Sequence, residues 1–305
     1  LNTRTIAIAG KNDQHRLTSE WLQKHPGVSE VRSIDITRLF HPAETEKMLS
    51  SDVMLCMLPD GVSTTLWQWL HEHAYEGYFI DTGIDFRLKN RDEAIRYYRH
   101  EGFETAIANQ FRYIHPDLNL DEVMPGHRYY CLPGTVSTLL LPPLKAVVSS
   151  QKPDDLWITS ILPNYVETES RIQAFQVFTY FETGEIIAAA EKWTGKLPKL
   201  SIIPVHMSVS RGSWTTITVD NADHPAIEAA MEVLIKGRTS LTRVPEIPSL
   251  GDVLNTCRIQ IGYKKRGTKM VVGAAMDDQI KAGPGIVIPV LNALFGHVAN
   301  TGLQL

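Results

Sequence analysis

Residues equipped for chemistry are few in this chain and widely separated. Thr135 follows Pro133-Gly134 at the start of an apolar helical segment. A threonine hydroxyl is far less acidic than a thiol and needs an activating base before it can attack. The same side chain is also a good helix cap. His206 lies in an apolar, strand-like run, and Arg211 follows it closely. The planar guanidinium of Arg211 suits bidentate recognition of a carboxylate or phosphate. Tyr180 and Glu182 flank Phe181 in an aromatic and acidic stretch. Glu182 should repel a phosphate and favour an amine or guanidinium, or else face solvent. Gly10 closes an apolar run and leads into Lys11-Asn12-Asp13-Gln14-His15-Arg16. Side chains of Lys11, His15 and Arg16 can bind phosphate, but Asp13 adds an opposing charge. His15 and Arg16 are bulky where a small residue lets backbone N–H groups approach a pyrophosphate. The three cysteines, Cys56, Cys131 and Cys257, form no CxxC pair. That spacing indicates neither a metal site nor a disulfide framework, and Cys131 reads as a buried structural thiol.

The elements that must position these residues are legible in the apolar pattern. Thr5–Ala9, Asp52–Leu58 and Tyr78–Ile80 are short apolar runs, the form of buried parallel strands. Thr105–Ala108 and Arg128–Cys131 are further short strand candidates. Helices are expected over Leu17–Lys24 and Val62–His73. Strands alternating with helices predict a doubly wound α/β sheet with ligands beyond the strand carboxyl ends. Those ends are Gly10, Pro59-Asp60-Gly61, Asp81-Thr82-Gly83 and Pro133-Gly134-Thr135. Past about residue 150 the strands lengthen. Leu156–Leu162, Ser201–Ser210, Trp214–Val219, Cys257–Tyr263 and Lys269–Ala275 are strand candidates, and several alternate in and out, as antiparallel strands with one covered face do. Helices are expected over Glu185–Trp193 and Pro225–Lys236, and a last helix over Ile286–Phe295. The chain has 305 residues, which predicts two domains. Its composition is that of an ordinary globular protein, with 43% hydrophobic and 21% charged residues and a net charge of -4. No basic footprint for nucleic acid is present, and no apolar run reaches membrane-span length. Cysteine usage suits a reducing, cytoplasmic setting.

Four stretches in order resemble N-acetyl-gamma-glutamyl-phosphate reductase, within the wider semialdehyde dehydrogenase group. Asp81-Thr82-Gly83-Ile84-Asp85-Phe86-Arg87-Leu88 is similar to the family's D-L-S-A-D-F-R-L. Pro133-Gly134-Thr135-Val136-Ser137-Thr138 is similar to its P-G-C-Y-P-T. His206 through Gly212 resembles H-L-V-P-M-x-R-G. Asp277 through Gly296 follows the family's terminal motif without a gap, with Lys281, Gly285, Asn292, Phe295 and Gly296 retained. The resemblance implies an α/β fold: a Rossmann-type nucleotide-binding domain over residues 1–134 with 286–305, and a central α+β domain over 135–285. It implies a homo-oligomer, NADP as cofactor, and a cysteine thiolate that attacks an acyl phosphate. It makes His206 the acid/base and Arg211 the clamp on a substrate anion.

Several positions depart from that pattern. Thr135 stands at the cysteine, which makes a thioester route unavailable. The family's G-A-S-G-Y-T-G loop keeps only its first glycine, Gly10. The basic His-Arg-His triplet becomes Tyr180-Phe181-Glu182, and Asp60 stands where the family usually has His. Asn164 through Arg171 departs from a Gly- and Ser-rich stretch. The expectation is a repurposed homologue that takes no cofactor. It would hold a small, amino-acid-derived ligand, or another protein, without Cys-based acyl-phosphate reduction. If a cofactor binds, Gly10, Pro59 and Gly285 are the residues to meet it. The alternative is an enzyme of altered chemistry, either an NAD(P)-dependent oxidoreductase or a non-redox acyl transferase or hydrolase using Thr135 and His206.

Overall fold

The computed structural model describes residues 3–151, 153, 155–164, 172–195 and 199–305. The chain divides into two compact units, residues 1–134 with 282–304, and residues 135–281 with 305.

In the first unit, β1 (Arg4–Gly10) leads to α1 (Asp13–Leu22) and β2 (Val28–Ile34). A 3-10 turn at Ile36–Arg38 precedes α2 (Pro42–Leu49), and β3 (Val53–Met57) and α3 (Val62–Glu72) follow. Then come β4 (Tyr78–Asp81), α4 (Arg91–Tyr98), α5 (Thr105–Ala108), β5 (Arg112–Tyr113), α6 (Pro116–Asn119) and β6 (Tyr129–Cys131). The strands form one parallel sheet in the order β2-β1-β3-β4-β6-β5. The chain steps outward from β1 to β2 and then returns to the other side of β1 for β3. The strand order therefore reverses between β1 and β3, the place where open α/β sheets bind ligands.

Alternation along the strands builds a core on each face. Ala7, Ala9, Met54, Cys56 and Phe79 point to one face, against Leu66, Trp67 and Leu70 of α3 and the stacked rings of Phe86 and Phe111. Ile6, Ile8, Val53, Leu55 and Ile80 point to the other, against Leu22 of α1 and Ile286, Val287, Val290 and Leu291 from near the end of the chain. Both faces are covered, which is why these strands read as continuous apolar runs. The expected strand at Thr105–Ala108 is instead the single turn α5. A four-residue apolar run fits a buried helical turn as well as it fits a strand. Nearby, the ammonium of Lys89 donates to three carbonyls, those of Phe86 (2.7 Å), Ala108 (2.7 Å) and Phe111 (2.9 Å), and so ties this segment down.

The second unit opens with α7 (Thr135–Ser150), β7 (Asp155–Pro163), β8 (Ile172–Ala174) and α8 (Thr183–Thr194). It continues through β9 (Lys199–Met207), β10 (Ser213–Val219), α9 (His224–Ile235) and β11 (Leu241–Arg243). It closes with β12 (Ile259–Arg266), β13 (Lys269–Met276) and α10 (Asp278–Lys281), after which α11 (Pro284–Phe295) belongs to the first unit and packs on α1. The sheet order is β11-β12-β13-β10-β7-β9-β8. Pairs β10–β13, β10–β7 and β12–β13 are antiparallel, whereas β7–β9 and β11–β12 are parallel, so the sheet is mixed. Leu156, Ile158, Ser160 and Leu162 of β7 are buried, as are Thr215, Ile217 and Val219 of β10. The opposite face carries Trp157, 47% exposed, and the partly exposed Trp214.

Candidate functional site

In the first unit, three strand ends converge on the β1–β3 reversal. Gly10 ends β1 in a close approach: a Cβ there would lie 2.9 Å from the His15 ring and 2.9 Å from the Met57 carbonyl oxygen. Asn12 is extended and caps α1, its side-chain oxygen accepting from the His15 N–H at 2.7 Å. His15 packs over the strand end, where burial lowers its pKa, opposed by a backbone hydrogen bond to Ile8. Its Nε2 is buried without a partner. Arg16 spends its charge along the helix on Glu20 (2.8 Å) and Asp13 (3.7 Å).

At the end of β3, Pro59-Asp60-Gly61 turns into α3 with Gly61 at φ +81°. That helix has no cap of its own. Asp85 supplies one from the loop after β4, accepting from the N–H groups of Gly61 (2.7 Å) and Thr64 (2.9 Å) and from the Thr64 hydroxyl (3.0 Å). Arg87 donates from Nε to the Leu132 carbonyl (2.9 Å) and from Nη2 to that of Thr82 (2.5 Å). The residues that carried the D-F-R-L resemblance thus brace strand-end loops. Asp81 is fully buried and accepts from the Ser63 hydroxyl at 2.6 Å, while its Oδ2 has no partner. Burial first, and then the neighbouring charge of Asp85, pushes its pKa up to about 7. Desolvation and the same Asp85 charge raise Asp60. Gly285 lies buried in the first turn of α11.

In the second unit, Thr135 is half-buried at the first residue of α7. The hydrogen bond that a capping side chain at 135 would make is taken by Glu182, whose Oε2 accepts from the Ser137 N–H at 2.7 Å. Its Oε1 accepts from the Tyr180 hydroxyl at 3.1 Å. Glu182 is only 2% exposed, so the expectation that it faces solvent is corrected. Both oxygens serve the chain's own donors, and a carboxylate at a helix N-terminus is stabilised by the helix dipole. The rings continue the connection. Tyr180 meets Phe175 edge-on at 5.9 Å, and Phe175 stacks on His206 at 3.7 Å and 18°. Tyr180, Glu182 and His206 are therefore linked to the first turn of α7. Among the described residues no hydrogen bond joins His206 to Thr135. Arg211 is drawn elsewhere: its Nη2 pairs with the fully buried Asp277, which also accepts from the Asn255 N–H at 2.7 Å. The Arg211 Nε is buried without a partner. Cys131 is buried, its thiol 3.3 Å from the Phe86 carbonyl oxygen. Residues 165–171 of the stretch expected to diverge lie outside the described residues. Among the described residues, no cluster of His, Cys, Asp or Glu could hold a metal, and no helix is long and apolar enough to cross a membrane.

A parallel sheet in one unit and a mixed sheet in the other are the two sheets of the semialdehyde dehydrogenase fold. Residues 159–278 match the family described as semialdehyde dehydrogenase, dimerisation domain. That match lies within the second unit; over most of its length the chain is similar to N-acetyl-gamma-glutamyl-phosphate reductases. It is 25% identical to the reductase of Corynebacterium diphtheriae, over 97% of this chain and 88% of the relative. It is 25% identical to that of Rhodopirellula baltica, over 84% of this chain and 80% of the relative. Among solved structures, aspartate semialdehyde dehydrogenase II from Vibrio cholerae superposes with a TM-score of 0.69 at 12% identity, covering 96% of this chain and 97% of that one. The aspartate semialdehyde dehydrogenase of Francisella tularensis gives 0.69 at 10% identity, covering 95% and 99%. At these identities the structures speak for the fold alone.

The expectation that the chain takes no cofactor is corrected by these findings. It rested on a glycine-poor loop. The chain instead matches proteins named as reductases over 97% of its length. In the family that it resembles the reductant is NADP(H). The β1–α1 turn offers such a group one unsatisfied buried polar atom, the His15 Nε2 packed beside Gly10.

Proposed function

We propose that this chain is a dinucleotide-binding homologue of N-acetyl-gamma-glutamyl-phosphate reductase that does not pass an acyl group through a thioester. It would hold an amino-acid-derived ligand without a covalent bond. The observation that carries this reading is the Glu182 carboxylate on the first turn of α7, beside a residue that is not cysteine. A helix N-terminus carries roughly half a positive charge, which favours an anion placed there. Here a full negative charge already meets it, so an anionic nucleophile at position 135 gains little and faces a like charge. Thr135 has no base bonded to it among the described residues.

When bound, the dinucleotide supplies hydride chemistry. The chain's own part is to receive it. Gly10 lets the backbone approach closely, Asn12 fixes the start of α1, and Pro59 with Gly61 shapes the next strand end. In the second unit Tyr180 and Glu182 hold the first turn of α7, and Phe175 orients the His206 imidazole. The dimerisation-domain match and the partly exposed Trp157 and Trp214 support a homo-oligomer through the uncovered sheet face. A cytoplasmic setting accords with three buried cysteines that form no disulfide among the described residues.

The test is incubation of the protein with NADH or NADPH and N-acetyl-gamma-glutamyl phosphate. Nicotinamide absorbance and intact mass would be read together. No acyl adduct and no protein-dependent oxidation are expected. An adduct on Thr135 or on any cysteine, or sustained turnover, would overturn the reading.

A further inference from the structure

We propose that Asp35 makes the first unit select a dinucleotide with a free ribose 2′-hydroxyl, so that NADH binds in preference to NADPH. This rests on the dinucleotide reading above and adds to it the choice between the two cofactors.

The placement comes from strand register. In the β1–β2 pair Ala9 lies opposite Ile34, the last residue of β2, so Asp35 is the first residue past β2, one step beyond the level of Ala9, where β1 ends at Gly10. Gly10 is the close-approach position at the β1–β3 reversal. An acid just past the second strand is where the doubly wound fold meets the adenosine ribose.

Asp35 is also held rigidly. Its Oδ1 accepts from the Thr37 N–H (2.9 Å) and the Thr37 hydroxyl (2.7 Å). Its own N–H donates to Glu44 Oε2 at 3.0 Å. The two Thr37 bonds hold the carboxyl group below the usual carboxylate range, so it is ionised at neutral pH. Neither bond occupies Oδ2, and the residue is exposed.

A ribose hydroxyl can donate to that oxygen. A 2′-phosphate has only acceptor oxygens there and brings further negative charge. Cations are present too. Lys47 is paired with Glu44 at 2.9 Å, while Lys11 and Arg38 are exposed and act on Asp35 only at a distance. Asp35 is anchored by three hydrogen bonds and sits at the strand end, whereas Arg38 occupies the far end of the 3-10 turn. The fixed carboxylate therefore sets the preference.

The experiment is calorimetric titration of the full chain with NADH and with NADPH. Wild type should bind NADH more tightly by about tenfold or more. Asp35→Ser should narrow or reverse the ratio, chiefly by strengthening NADPH. Asp35→Asn, whose amide oxygen can still accept from Thr37, should do the same and guards against a folding defect in the serine variant. Arg38→Ala should leave NADH affinity within about twofold. Equal or tighter NADPH binding by wild type would overturn the assignment, as would a ratio unmoved in both Asp35 variants. Failure of wild type to bind either dinucleotide would defeat the underlying reading as well, and is a separate outcome.

Discussion

Restoring a cysteine at position 135 tests the electrostatics at the start of α7 directly. The perturbation is Thr135→Cys, alone and combined with Glu182→Gln. A cysteine at a helix N-terminus ordinarily gains about 0.3–1 kcal/mol from the dipole, less than one pKa unit. Glu182 opposes that gain, since its carboxylate accepts from the Ser137 N–H at 2.7 Å. Taking about 6 Å between the two charges, roughly one helical turn, and an effective dielectric near 20 gives a repulsion of about 3 kcal/mol, or about two pKa units. The repulsion exceeds the dipole gain, so the new thiol should titrate above the free value of about 8.5. Adding Glu182→Gln should lower it by about one to two units. The glutamine oxygen can still accept from Ser137, so the helix start is kept. Thiolate absorbance against pH, or the pH dependence of iodoacetamide alkylation, reads the difference. The native cysteines are buried and should contribute little signal. A thiol in the single variant that titrates well below the free value would refute the reasoning, as would a double variant indistinguishable from it.

Other expectations follow from the same structure. Asp81 has a folded-state pKa raised to about 7, so the folded chain holds a proton that the unfolded chain releases near the ordinary carboxyl value. Stability should therefore fall as pH rises from about 4 to 7, by up to about 4 kcal/mol, and Asp81→Asn should flatten that slope in denaturant titrations. Gly10→Ala forces a methyl to 2.9 Å from both the His15 ring and the Met57 carbonyl oxygen, and should cost about 1–3 kcal/mol in thermal unfolding while weakening dinucleotide affinity. Arg211→Ala leaves Asp277 fully buried without its cation, which should cost about 3–5 kcal/mol, discounted somewhat because the arginine side chain is 24% exposed. Trp157→Glu on the uncovered sheet face should shift light scattering toward the monomer and leave the fold intact by circular dichroism.

The central strands were legible because β1, β3 and β4 are apolar on both faces. The edge strand β2 was not. Its sequence VSEVRSI is half charged or polar and largely exposed, so no apolar run marks it. Missing β2 meant missing Asp35, whose meaning depends on following a strand. The motif positions Thr135, His206 and Arg211 were visible in sequence, but their partners were not. Nothing local tells that Glu182 reaches the N–H of Ser137, a contact between residues 45 apart in the chain. Nor does local sequence show that Arg211 is tied to Asp277, across 66 residues. Charge reversal at Glu182 looked like a statement about ligands, and in the folded chain it is first a statement about a helix end.

Lys89 offers a practical consequence of the fold. An ammonium group has three protons, and here all three are directed at carbonyl oxygens of Phe86, Ala108 and Phe111. Acylation would require the nitrogen to give up a proton and break at least one of those bonds while the segment around α5 stays folded. Amine-reactive reagents should modify the exposed lysines before Lys89. Its labelling rate then becomes a clock for local opening of this part of the first unit, readable by peptide mass spectrometry without any knowledge of substrate. Arginine would make a poor substitute, since a planar fork cannot point at three carbonyls arranged around a single nitrogen.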